Sequence, residues 1–172
     1  MALLAGASSF GQPQAFSPSQ VEAEMVQRFT EFIDWPPDRF ADAQSPFVLG
    51  LVGRGDVGPA LERLALARGL KSHRVEIRRL DGPEGVEACH AVWIAPAGDA
   101  QVRAVLARTS GKPILTLGDT DGFAERGVLI NLRRESARIG FEVNLEEAKK
   151  SGLKLSSRLL ALGKIIEAQA SP

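Results

Sequence analysis

The stretch FVLGLVGRGDVGPALERLALARG, residues 47–69, decides the fold. Its first six residues extend an apolar run from Pro46 to Val52, which is the pattern of a strand buried on both faces of a sheet. A glycine turn follows over 53–58. A helix is predicted over 59–68, with the leucines at 61, 64 and 66 facing inward and Gly69 as its stop. The stretch is therefore a strand, turn and helix unit.

The same alternation continues downstream. It predicts strands at 74–80, 91–94 and 114–117, and a helix from about Asp99 to Arg108. Strands that alternate with helices in this way imply a largely parallel sheet.

The pattern changes after Gly118. Residues 128–132 and 138–143 resemble adjacent strands joined by the polar turn 133–136, so an antiparallel hairpin is expected to close one edge of the sheet. The predicted fold is a single α/β domain, a Rossmann-like sandwich. Its sheet is mixed but largely parallel, with helices on both faces and the hairpin near the C-terminus.

Three further helices are predicted around this sheet. The first begins at Ser17, where Ser17-Pro18-Ser19-Gln20 is a capping box with a first-turn proline, and it ends before Trp35. The second is capped by Asn144 and stops at Gly152. The third runs from Ser156 to about Ala168. The apolar residues expected to be buried in the third helix are Leu159, Leu160, Leu162, Ile165 and Ile166.

Length and composition set limits on the function. The chain has 172 residues, close to the size of one domain, and we assign 16–168 to that domain and 169–172 to a tail. Lys plus Arg and Asp plus Glu both number 21, so no overall field attracts phosphate backbones, which argues against nucleic acid as a partner. One cysteine, Cys89, excludes an internal disulfide, and its apolar surroundings predict a buried, inert thiol.

The N-terminal residues 1–15 are interpreted as the remnant of an export signal. Ala5-Gly6-Ala7 matches the small-x-small pattern of a signal-peptidase site, although no Lys or Arg precedes it. A disordered leader is the alternative. No stretch approaches the roughly 20 apolar residues of a membrane span, so the mature protein is expected to be soluble.

Residues 53–58 fit the G-x-G-x-x-G pattern of a dinucleotide phosphate turn, after a strand and before a helix. The acid expected about 20 residues on is matched only by Asp81, which lies farther along. Asp56 is interpreted as a helix cap that would repel a pyrophosphate. A tight structural turn is therefore favoured, while a shallow anion site made by Arg54 and the helix amides stays open.

Other motifs are incomplete. Asp119-Thr120-Asp121-Gly122 resembles the start of a calcium loop but lacks its later acids, and is interpreted as a turn. The two histidines, His73 and His90, lie in different elements, and His90 is interpreted as a core or edge residue. No set of residues supplies a nucleophile, a base and an oxyanion site, so we expect neither an enzyme nor a cofactor or metal site.

Taken together, several segments resemble the YfiR-like family of small exported proteins. The resemblance spans roughly Val21 to Ile166. It begins with Phe29-x-x-Phe32-Ile33-x-Trp35-Pro36 and the strand at 47–53, and it is most specific in the C-terminal half. The segments there that follow the family order are 115–119, 122–124, 127–131, 139–145 and 152–160.

The resemblance implies a function by binding. The best-understood members of the family are periplasmic proteins that hold a membrane diguanylate cyclase inactive through its periplasmic sensor region, which restrains cyclic di-GMP signalling and biofilm formation. It also implies a tendency to form homodimers. Well-known members carry disulfide-forming cysteine pairs, so with Cys89 alone an internal redox switch is not expected here.

Four residues in turns or at strand ends are candidates for binding a small ligand: Arg54, Asp56, Asp119 and Asn131. Turn and capping roles are the competing interpretation of all four. Two other functions stay open beside the regulator: a periplasmic sensor of small molecules or nucleotides, and an NAD-type enzyme that uses the glycine turn.

Overall fold

The computed structural model describes residues 16–136 and 138–167. The predicted leader 1–15 and tail 169–172 lie outside the described residues. The helices and strands in chain order are α1 (Pro18–Glu31), β1 (Ile33–Asp34), β2 (Phe47–Val52), α2 (Val57–Arg68), β3 (Val75–Leu80), β4 (Ala91–Ile94), α3 (Asp99–Thr109), β5 (Leu115–Gly118), β6 (Ile130–Glu135), β7 (Arg138–Asn144), α4 (Leu145–Ser151), β8 (Lys154–Leu155), α5 (Ser157–Leu162) and β9 (Lys164–Ile166).

One seven-stranded sheet organises these elements, in the order β3-β2-β4-β5-β6-β7-β9. The neighbours from β3 to β6 are parallel, β6 and β7 pair antiparallel, and β9 returns parallel to β7. This confirms the predicted mixed, largely parallel α/β fold with a C-terminal antiparallel pair. All six residues of β2 are buried, as its unbroken apolar run requires.

Helices cover both faces of the sheet. The larger core contains buried residues of α1, α2 and α5 packed on one face, with Trp93 and Leu117 from the sheet. The smaller core lies on the other face, where Val102 and Val105 of α3 pack with Ile94 and Phe123. Burial on both faces explains why the central strands show no polar alternation.

The first helix begins as its sequence predicts. The Ser17 side chain accepts the Gln20 amide, and the Gln20 side chain accepts the Ser17 amide, so both halves of the capping box are present. Directly after this helix, β1 pairs antiparallel with β8 in a small separate sheet that the sequence analysis did not predict. Strands of two residues carry no periodicity to recognise.

Several local predictions are wrong. The final helix ends at Leu162 and the chain turns into β9, so β9 rather than the hairpin forms the sheet edge. Leu162 and Ile165 are exposed, as is Leu66 of α2. After Gly163, where an added Cβ would lie only 2.5 Å from a Phe141 ring carbon, residues 164–166 pair with β7. The chain therefore passes too close to β7 for a residue larger than glycine at position 163.

The predicted turn at 133–136 is also shorter than expected. Arg133, Arg134 and Glu135 belong to β6, and Ser136 at the tip has a φ of 52°. None of the described helices is long and apolar enough to cross a membrane.

Candidate functional site

The order in which successive strands are added to the sheet reverses at β2. β2 lies between β3 and β4. The connection that leaves β2 runs through α2 on the face of the larger core, whereas the connection that leaves the neighbouring β4 runs through α3 on the opposite face. Two connections that leave on opposite sides open a crevice beyond the strand ends, which is where α/β sheets bind their ligands.

A first cleft of about 400 Å³ lies in this crevice beside the glycine turn. The apolar floor comes from Leu51, Leu80 and Trp93 at the ends of three strands, and the polar rim from Arg54, Asp81 and an ion pair. In that pair, the Arg79 guanidinium lies 2.6 Å from a Glu62 carboxylate oxygen.

A second cleft of about 330 Å³ lies on the other side of the turn. Gly55 and Trp93 line both clefts, so the turn forms the wall between them. The second cleft is acidic at its rim. Its remaining lining residues are Asp56, Val57, Pro96, Asp119, Asp121 and Arg134.

The structure places three of the four predicted site residues at these clefts. Arg54 lines the first cleft, and Asp56 and Asp119 line the second. Asn131 lines neither cleft. It is fully buried, and its side-chain amide donates to the Thr120 carbonyl at 2.9 Å, which fixes the turn after β5.

The glycine turn is packed against the end of β4. Gly53 has a φ of +78°, which favours glycine, and a Cβ added at Gly55 would lie 3.4 Å from the Ala95 Cβ. This close packing agrees with a structural role for the turn. The prediction that Asp56 caps α2 is wrong: its side chain accepts no helix amide. Its backbone is already helical at φ −77° and ψ −28°, whereas a capping residue is usually extended.

An ion pair with a buried carboxylate and a half-exposed guanidinium supports the second cleft. Glu22 of α1 is fully buried and accepts two hydrogen bonds from Arg134 of β6, at 2.6 and 2.7 Å. Sequence reasoning missed this pair. A signal was present, because Glu22 falls on the same helical stripe as Val26, Phe29 and Ile33. A carboxylate on a buried stripe requires a cationic partner.

Asp119 is the electrostatically unusual residue of the second cleft. Burial raises the pKa of its carboxyl group, the Glu22 carboxylate adds to this, and Arg134 opposes it. Its Oδ1 is buried without a hydrogen-bond partner among the described residues, as is the hydroxyl of Thr120. The turn itself is confirmed by the Phe123 amide, which donates to the Thr120 carbonyl at 3.1 Å.

Two further arginines are paired with carboxylates. Arg78 pairs with Glu76, and Arg133 lies 3.4 Å from Asp121. Within residues 16–136 and 138–167, no group of three or more His, Cys, Asp or Glu side chains is arranged to hold a metal ion. Cys89 is fully buried, and burial raises the pKa of its thiol to about 11, as expected of an inert thiol.

The pattern that defines YfiR/HmsC-like proteins matches residues 19–164, which is most of the chain. The chain belongs to the YfiR/HmsC-like family. Membership supports a periplasmic regulatory role in the context of cyclic di-GMP signalling, and this family is regulatory rather than catalytic.

Solved structures support the fold. A conserved domain protein from Vibrio cholerae O1 biovar El Tor aligns with a TM-score of 0.59 at 11% identity, covering 87% of this chain and 60% of that one. An ABC domain from Streptococcus pneumoniae, solved in complex with L-Trp, aligns at 0.50 and 11% identity, covering 87% of this chain and 62% of that one. The chain thus spans about three fifths of each structure.

Proposed function

We propose that the protein is an exported regulatory binding protein that represses a membrane-bound diguanylate cyclase through the periplasmic sensor region of that enzyme. The observation that carries the proposal is the family match over residues 19–164. Repression would limit cyclic di-GMP signalling and biofilm formation. Export is supported by Ala5-Gly6-Ala7 and by the family, and a homodimer is the proposed assembly.

The mechanism is a shift of a conformational equilibrium. A protein that binds one state of its partner's sensor region favours that state only by its differential affinity for it. The carboxyl edge of the sheet supplies a rigid surface for such docking, because strand ends fix the turn that carries Arg54 and Asp56. Both side chains are exposed there, with opposite charges two positions apart. We place the docking contact on this turn.

Co-purification from membranes tests the proposal. The full-length protein is produced together with a membrane diguanylate cyclase, ideally one encoded beside it, and both capture by the sensor region and cellular cyclic di-GMP are measured. We expect capture, a fall in cyclic di-GMP, and at least about tenfold weaker binding for Arg54→Glu, because rim charges set recognition. Arg28→Glu is the matched control, since Arg28 is exposed on α1.

Two results would count against this function. If the unmodified protein captures no sensor region, the regulatory proposal fails. If capture occurs but Arg54→Glu and Arg28→Glu behave alike, the function stands and the docking contact lies elsewhere. Light scattering of the purified protein tests the homodimer, and detection of the processed protein in a periplasmic extract tests export.

The first cleft favours a second candidate, a sensor of small molecules or nucleotides. Its volume of about 400 Å³ lies within the range of small-molecule sites. Arg54 and Asp81 offer a cation and an anion at its rim, and Asp81 stands at the end of β3, where dinucleotide folds hold a ribose. Thermal shift against nucleotides, dinucleotides and amino acids tests it. A response that Asp81→Ala removes supports the sensor, and a flat response excludes it.

A further inference from the structure

Two histidines enclose an aromatic ring at the amino-terminal edge of the sheet, opposite the clefts. Phe40 lies in the loop between β1 and β2, residues 35–46. Its ring is stacked on His73 and on His90, with centroids 4.4 Å apart in both cases and interplanar angles of 9° and 7°. His73 precedes β3 and His90 precedes β4. The loop is therefore clamped against the starts of two strands.

Hydrogen bonds define the protonation state of His90. The Val48 amide donates to His90 Nδ1 at 2.9 Å, so this nitrogen must carry no proton. His90 Nε2 lies 2.9 Å from the Arg39 carbonyl, which can only accept, so Nε2 carries the proton. The folded structure thus requires a neutral His90 as the Nε2–H tautomer, with one bond to β2 and the other to the loop.

The Nδ1 atom of His73 has the opposite hydrogen-bonding role to the Nδ1 atom of His90. The His73 Nδ1 lies 2.8 Å from the Ser45 carbonyl, so it donates there, and a proton added at the other nitrogen would leave this bond intact. The loop has a third attachment, where the Arg39 guanidinium donates to the Cys89 carbonyl at 2.7 Å. Of the two histidines, only His90 therefore makes a hydrogen bond that protonation destroys, and that bond joins its ring to Val48 of β2.

We propose that His90 is an acid-sensitive latch for the loop 35–46. A proton on Nδ1 places an N–H against the Val48 N–H, which removes that hydrogen bond. It also creates a second cation beside the Arg39 guanidinium. The Nε2–H bond to the Arg39 carbonyl is kept, so the ring that leaves Val48 carries its contacts to Arg39 and Phe40 with it. Acid therefore separates the loop from the start of β2 and uncovers Phe47. In an exported protein, which rests on the proposed function, the latch would respond to the pH outside the cell.

The charges around the ring act in the direction that the latch requires. Burial is the main cause that lowers the pKa of His90, the Arg39 carbonyl opposes this, and the Arg39 and His73 charges lower the pKa further. The neighbouring Cys89 thiol is the group whose pKa responds to the charges of Glu76, Arg78 and Glu87.

The pH window follows from the direction of this shift. A histidine whose pKa is lower in the closed state binds fewer protons there than in the open state. The closed latch is therefore fully favoured above the ordinary histidine pKa of about 6.5, and is weakened as pH falls below it. The open population rises by up to about tenfold per pH unit in that window.

Amide exchange in the isolated protein tests the latch. Exchange of the Val48 amide and of residues 36–46 is followed by NMR at pH 7.5 and pH 5.0, and corrected for intrinsic exchange. We expect more opening at pH 5.0 than at pH 7.5 in the unmodified protein, because the closed state binds fewer protons. His90→Gln retains one donor and one acceptor without a titration, so its loop opening should be independent of pH. His73→Gln, the matched control, should keep the acid response.

Equal protection of the Val48 amide at both pH values would overturn the latch, as would an acid response retained in His90→Gln. If His90→Gln does not fold, the nitrogen shifts of His90 in the unmodified protein decide the matter. They must show an unprotonated Nδ1 at pH 7.5 and a protonated one when the loop opens. The readout needs no partner, so failure of the latch and failure of the regulatory proposal are separate results.

Discussion

The two ends of the strands, here called the carboxyl and amino edges of the sheet, stabilise a buried polar side chain in opposite ways. At the carboxyl edge, a fully buried carboxylate of Glu22 is held by an ionic, bidentate contact to Arg134. At the amino edge, His90 is held neutral by one bond to a backbone amide and one to a backbone carbonyl. The first arrangement depends on charge being kept. The second depends on charge being absent.

This difference separates the roles of the two edges. The carboxyl edge leaves two clefts and exposed charges of both signs around a rigid glycine turn, as a recognition surface needs. The amino edge is filled by rings: Trp35 lies edge-on to Phe47 at 5.2 Å, and its indole N–H donates to the His90 carbonyl at 3.0 Å. We therefore expect substitutions at the two edges to differ in size and in pH dependence.

The largest effect is expected for Arg134→Leu. It leaves the buried Glu22 carboxylate without its cation. Loss of one partner of a fully buried pair costs about 3–5 kcal/mol of unfolding free energy, and solvent around the half-exposed Arg134 lowers the expected cost to about 2–3 kcal/mol. Glu22→Leu should cost far less, because leucine continues the apolar stripe of α1 and the Arg134 side chain is 54% exposed and stays hydrated. Urea unfolding of both variants measures the difference between their losses of unfolding free energy.

The double variant and a surface pair serve as controls. Glu22→Leu combined with Arg134→Leu should recover most of the stability that Arg134→Leu loses. Arg79→Leu, which breaks the pair with Glu62 at a side chain that is 73% exposed, should cost under about 1 kcal/mol. If Glu22→Leu proves more damaging than Arg134→Leu, the burial of this carboxylate is not what makes the pair important.

A smaller effect is expected for Phe40→Ala at the amino edge. Its half-buried ring stacks on both histidines, and losing these contacts should cost about 2 kcal/mol of unfolding free energy. Phe16→Ala is the matched control, since Phe16 is 72% exposed and should change stability little. Equal stabilities of Phe40→Ala and the unmodified protein would mean that the rings do not hold the loop.

Much of the fold was predictable because local rules and tertiary burial agree along most of the chain. The predicted 91–94 strand matches β4, and α1 begins at the predicted capping box. The failures lie where tertiary contacts decide. The sequence 163–166 is apolar enough to extend a helix, yet Gly163 lies against Phe141 and the chain becomes β9 instead.

The site was less predictable than the fold. Arg54, Asp56 and Asp119, chosen because they lie in turns or at strand ends, line clefts at the carboxyl edge, because topology brings such turns together. Their role in binding stays a prediction. No local pattern could reveal that Arg134 pairs with Glu22, 112 positions away. The stacking of His73 and His90 on one phenylalanine was equally hidden. Both arrangements depend on strand order, which sequence periodicity does not contain.

The smallest effect is expected for Asp119→Asn, and its pH dependence has a definite sign. Because burial raises the pKa of this carboxyl group in the folded protein, ionisation opposes folding at neutral pH. That cost is absent below the unfolded pKa of about 3.9 and appears as pH rises through the folded pKa. Asn cannot ionise, so the variant should be slightly more stable than the unmodified protein at pH 7, and the gain should vanish near pH 4.

Asp121→Asn is the matched control for this measurement, because Asp121 lines the same cleft with its side chain 87% exposed and should show no such gain. A loss of stability for Asp119→Asn at pH 7 would mean that attraction to Arg134 outweighs burial. The expected gain has a further consequence. Asp119 lines the same cleft as Asp56, which lies on the turn proposed as the docking contact. A residue that lowers the stability of the fold is often retained for function, so Asp119→Asn should also weaken capture of the partner's sensor region.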